Sequence, residues 1–127
     1  MKLAVVGAHL SGLPLNHQLL QCGATLVRAT WTAPWYRLYA LPNTSPPKPG
    51  LLRVPGEVGP GIELEVWDVA PADFAAFVDA IPPPLGVGNI ELEDGETVKG
   101  FLVESYAVAG AKDITCFGGW RNFLKSL

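Results

Sequence analysis

Charge is scarce in this chain: Asp, Glu, Lys and Arg make up only 17% of its 127 residues. Nine basic residues face twelve acidic ones, for a net charge of −3, and the basic ones are scattered. The electrostatic footprint of a nucleic-acid binder is therefore missing, and no nucleic-acid partner is expected. Long apolar runs are missing too. No window approaches the roughly 20 residues of a membrane span, so no membrane partner is expected. Only two cysteines occur, Cys22 and Cys116, far apart and outside any metal-ligand spacing. A disulfide framework needs more, and both are read as reduced, buried thiols of a cytoplasmic protein. Gly7 and His9 interrupt the apolar start before a signal peptide can form. The phosphate-cradling patterns G-x-G-x-x-G and G-x-x-x-x-G-K-[ST] are absent, as is the nucleophile context G-x-S-x-G. His9 and His17 have no carboxylate beside them, so neither a metal site nor a cofactor is expected.

What the chain does have is apolar bulk and turns. Hydrophobic residues reach 49%, accompanied by 14 glycines and 12 prolines. Such a chain fills one core, which predicts a single domain over residues 1–127 with many short elements between sharp turns. Residues 3–6 read as a buried strand, and Pro14 opens a short helix that Gly23 ends. Residues 24–32 and 35–41 are β-branched and aromatic strands parted by Pro34. Residues 43–61, dense in proline and glycine, form a surface excursion with a short strand at 51–54. Residues 62–67 alternate as a half-buried strand, with Glu63 and Glu65 on the solvated face. Phe74, Phe77 and Val78 lie at helical spacing after Pro71. Asp94-Gly95 between two alternating runs, 89–93 and 97–104, is a hairpin turn. A last helix covers 119–125. Six strands and two or three helices predict an α+β domain, a small mixed or antiparallel β-barrel with flanking helices.

The loop Gly7-Ala8-His9-Leu10-Ser11-Gly12 is the best candidate site. It joins a buried strand to a helix, where backbone N–H groups are free to face an anion. It also carries His9, whose side-chain type transfers protons near neutral pH. A tight turn with a structural histidine is the competing reading. His17 reads as a surface or capping residue, and Tyr36, Tyr39 and Trp120 as core. The glycine-bearing segment Pro84-Leu85-Gly86-Val87-Gly88 is expected to wall the same pocket. Glu104, which ends the apolar run 101–103, reads either as an exposed strand terminus or as a group looking into a cavity at the strand end.

The stretch Leu3-Ala4-Val5-Val6-Gly7-Ala8-His9-Leu10-Ser11-Gly12-Leu13-Pro14-Leu15-Asn16-His17-Gln18-Leu19 resembles the C-terminal domain of allophanate hydrolase, the enzyme that completes ATP-dependent urea breakdown. The likeness continues at Tyr36-Arg37-Leu38-Tyr39-Ala40-Leu41-Pro42 and Ile81-Pro82-Pro83-Pro84-Leu85-Gly86-Val87-Gly88. It then runs through Val98-Lys99-Gly100-Phe101-Leu102 and Asp113-Ile114-Thr115 to Phe117-Gly118-Gly119-Trp120. Nearly the whole chain is covered, in order. The resemblance implies a γ-glutamylcyclotransferase-like fold with a cavity beneath the loop after the first strand. The glutamate that cyclotransferases carry near the proline run has no counterpart at residues 82–85, which leaves cyclotransfer the weakest functional reading.

In that family an amidase-type domain removes ammonia from allophanate. The second domain is implied to decarboxylate the N-carboxycarbamate product. The resemblance assigns the catalytic role to His9 and substrate binding to Gly7, Leu10, Ser11, Gly12, Pro84, Gly86 and Gly88; Ala8, in the same loop, and Glu104, at its strand end, are added as binding candidates. No amidase domain lies within these residues, so an amidase-signature protein is an expected partner and a small anion the expected substrate. A non-catalytic anion-binding or amidase-accessory module is the alternative. So small and apolar a domain is also expected to form a homodimer.

Overall fold

Eight strands form, six of them on segments that carry β-branched or aromatic residues. They are β1 (Lys2–Val5), β2 (Thr25–Trp31), β3 (Tyr36–Ala40), β4 (Pro49–Arg53), β5 (Glu63–Asp68), β6 (Leu85–Glu91), β7 (Thr97–Val103) and β8 (Lys112–Asp113). Three helices complete the α+β fold: α1 (Asn16–Gln21), α2 (Pro71–Ala80) and α3 (Trp120–Lys125). The computed structural model describes all 127 residues.

One sheet has the order β2-β5-β1-β7-β6 and the other β4-β3-β8. The first strand is thus the central one. It pairs antiparallel with β5, Leu3 opposite Trp67, and parallel with β7, Leu3 opposite Lys99. A strand flanked on both edges and both faces must be apolar throughout, and Leu3, Ala4 and Val5 are fully buried. The Asp94-Gly95 turn joins β6 to β7 as expected, with Gly95 at φ +89°. The large sheet curls until its outer strands meet at one point. There the Ala33 N–H donates to the Glu91 carbonyl at 2.9 Å and the Glu93 N–H to the Trp31 carbonyl at 3.0 Å.

Several expectations change on contact with tertiary structure. The strand β5 is not half-buried: Leu64, Glu65, Val66 and Trp67 are all buried, because it lies between β2 and β1 with α3 beside it. Glu65, expected in solvent, is 5% exposed. Strand β6 starts at Leu85 rather than residue 89, since Gly86 and Gly88 pair directly with Leu102 and Gly100. The excursion 43–61 contributes β4, which begins two residues before the strand expected there and pairs along β3. Cys116 is exposed rather than buried, while Cys22 is half-buried with its thiol on the Leu19 carbonyl.

Candidate functional site

A cavity of ≈ 160 Å³ opens where β1 ends. The backbone leaves β1 at Val5 and turns through Gly7, whose added Cβ would overlap the Pro49 ring at the start of β4. Glycine is required by that close approach. The small sheet is thereby seated over the loop. Apolar walls come from Leu15, Phe77 on α2, Leu85 on β6 and Phe101 on β7. His9 sits among them, its ring 5.7 Å from that of Phe77 and 5.6 Å from that of Phe101.

Two polar atoms of His9 are held. The His9 carbonyl accepts from Asn16 Nδ2 at 2.9 Å, and ring Nε2 lies 2.7 Å from Gln18 Oε1. A carbonyl oxygen only accepts, so Nε2 carries the proton and Nδ1 is left to exchange one with a bound molecule. Burial pulls the imidazole below its ordinary value of 6.5, with the Gln18 hydrogen bond opposing this and the positive charge of Lys48 and nearby His17 reinforcing it. The free site therefore holds a neutral imidazole at pH 7.

Around it the cavity favours anions. The backbone N–H groups of Gly7, Ala8 and His9 donate to no backbone or side-chain acceptor. Unpaired N–H groups of this kind are available to an oxyanion. Lys48, which makes no ion pair, lines the same cavity, and no carboxylate does. A second recess of ≈ 400 Å³ lies beside β3, but its one guanidinium, Arg37, is already paired with Glu57 and Asp113. It offers no free charge to a ligand. The chemistry-bearing cavity is the smaller one.

Of the expected site residues, Gly7, Ala8 and His9 line this cavity. Leu10 does not; it is fully buried in the hydrophobic core. Ser11 is turned away and bound to Glu65, while Gly12 takes φ +81° in the turn beyond. Pro84, Gly86 and Gly88 also fall outside the lining; the proline-rich wall is made instead by Pro82 and Leu85. A Cβ on Gly88 would lie 2.8 Å from a Leu102 methyl, so that glycine serves hairpin packing. Glu104 is exposed beyond β7, where its N–H binds the Pro84 carbonyl at 2.9 Å. Lys48, Gln18 and Phe77 were not foreseen as site residues. Phe77 lay on a recognisable helix face, whereas Lys48 sits in a proline-rich excursion with no periodicity.

Behind the loop lies a buried polar cluster. Glu65 Oε1 accepts from the Ser11 N–H at 2.8 Å, the Ser11 hydroxyl at 3.0 Å and the Trp67 indole at 3.2 Å. Arg121 Nη2 donates to Glu65 Oε2 at 3.1 Å and to the Ser11 carbonyl at 2.8 Å. Burial pushes the Glu65 carboxyl up, but the donors of Ser11, Arg121 and Trp67 outweigh it and leave the group below the usual carboxylate range.

Comparison with known proteins places this geometry. The urea amidolyase of Lachancea kluyveri is 48% identical over 130 residues, which takes in 100% of this chain and 7% of that one. The chain thus spans a small fraction of its curated relatives. An allophanate hydrolase from Kluyveromyces lactis superposes with a TM-score of 0.93 at 48% identity, over 98% of this chain and 21% of that one. A uropathogenic E. coli-specific protein matches at a TM-score of 0.88 and 35% identity, covering 99% of this chain and 96% of that one. The same fold therefore occurs both within a long polypeptide and in a chain of nearly this size. Residues 1–125 match the profile of the allophanate hydrolase C-terminal domain, and the chain belongs to that family.

Proposed function

We propose that this domain removes carbon dioxide from an N-carboxycarbamate-type anion in allophanate breakdown, working alongside an amidase that generates it. The observation that carries this reading is the cavity itself: one imidazole among apolar walls, three unpaired N–H donors and one free ammonium, with no carboxylate. The bound carboxylates lie on Lys48 and the N–H groups of residues 7–9. Their charge favours the imidazolium, so binding loads His9 with its proton. His9 Nδ1 then delivers that proton to the central nitrogen as the C–N bond breaks. The bond electrons stay on nitrogen, and the departing carboxylate leaves as carbon dioxide. A cyclotransferase carboxylate is missing from this cavity, which weighs against that chemistry.

The test supplies allophanate to an amidase and follows carbon dioxide by ¹³C NMR with and without this chain. His9→Gln is expected to lower turnover by roughly 10²–10⁴-fold. With a free-enzyme value below 6.5 and the protonated form active, kcat/KM falls as pH rises through that value. Lys48→Met is expected to raise KM most. Malonate, with CH₂ in place of the central NH, serves as an inert binding probe. Malonate binding without any acceleration would identify an anion-binding module instead.

A further inference from the structure

Glu65 is the only carboxylate or cationic side chain in the buried set. A buried ion pair is a poor source of stability, because desolvation offsets most of its attraction and an apolar pair often does as well. Its presence calls for another account. The destinations of its hydrogen bonds supply one. All three polar groups of Ser11, the N–H, the hydroxyl and the carbonyl, are bound by Glu65 or Arg121. Ser11 follows His9 by two residues in the loop that also offers the three free N–H donors. Arg121 is in turn braced by Glu63 at 3.0 Å. The pair therefore grips the far end of the loop, while Asn16 and Gln18 grip His9 directly.

From this arrangement we infer that Glu65 and Arg121 are positioning residues for the cavity, setting the place of His9 and of the loop N–H groups through Ser11. The inference rests on the cavity being the working site, but not on its reaction. Releasing Ser11 lets residues 7–12 relax, and the His9 ring leaves its place between Phe77 and Phe101. Substrate still meets Lys48, so ground-state binding survives better than turnover.

The experiment follows the His9 imidazole by ¹H–¹⁵N NMR in the 127-residue chain and in Glu65→Gln, Arg121→Lys and Ser11→Ala. Ile90→Val, a core change outside the loop and the cluster, controls for lost stability. Lys48 and His17 are the charged or titrating neighbours to be held constant. Moved His9 resonances in the cluster variants, with titration drifting back toward 6.5, and unmoved ones in Ile90→Val support the inference. In the decarboxylation assay kcat then falls roughly 10- to 100-fold with KM little changed, and Arg121→Lys loses less than Arg121→Ala. Ser11→Ala, which deletes a single bond, keeps the test open if Glu65→Gln does not fold. Unmoved His9 resonances in folded cluster variants would overturn the inference. Moved resonances support it even if the parent chain shows no turnover, a result that sinks only the decarboxylation reading.

Discussion

At the scale of single residues, chemistry and packing meet at Gly7. The loop after β1 was recognisable in sequence because glycines flank a histidine after an apolar run. What the run of letters does not carry is that Pro49 presses on Gly7 from a strand more than 40 residues away. Gly7→Ala forces the Pro49 ring or the loop to move, at a cost of about 1–3 kcal/mol typical of overpacking. Urea denaturation should register that loss, with weaker malonate binding as its companion. Lys48 escaped notice for a related reason: its place in the cavity is set by that same contact, not by any local pattern. Glu65 was misjudged because alternation specifies two faces without saying whether both are covered.

At the scale of elements, α3 and β5 form the frame behind the site. The turn and pattern signals located most elements: the Asp94-Gly95 hairpin, the helix after Pro71 and the strand pair around Pro34 all form where local chemistry placed them. β8, two residues long, was invisible because it exists only as a partner of β3. The clasp between α3 and the loop depends on an ionised Glu65. Its carboxyl is depressed below 4.5 when folded, so the unfolded chain binds more protons in that window. Stability from the clasp is complete above 4.5 and is lost as pH falls through the folded value. The urea midpoint of the parent chain should therefore decline more steeply below 4.5 than that of Glu65→Gln.

At the scale of the whole molecule, one surface stands out. Strand β2 borders the large sheet and exposes Leu26 at 47%, Val27 at 46% and Trp31 at 37%. Exposed apolar side chains gathered on one strand mark a surface for association. A two-fold dimer through β2 is expected, and Leu26→Lys should dissociate it in sedimentation velocity runs. A parent chain that stays monomeric at high micromolar concentration would remove this expectation. The strand order itself was beyond local reading, because parallel pairing of β1 with β7 joins Leu3 to Lys99 across most of the chain. A still longer separation has a consequence in time. Ser11 is fastened by Arg121 across 110 positions, and ribosomes add about 5–20 residues per second. During synthesis the histidine loop therefore waits roughly 5–20 s for its anchor, and an interrupted chain carries the loop without the anchor that shapes it.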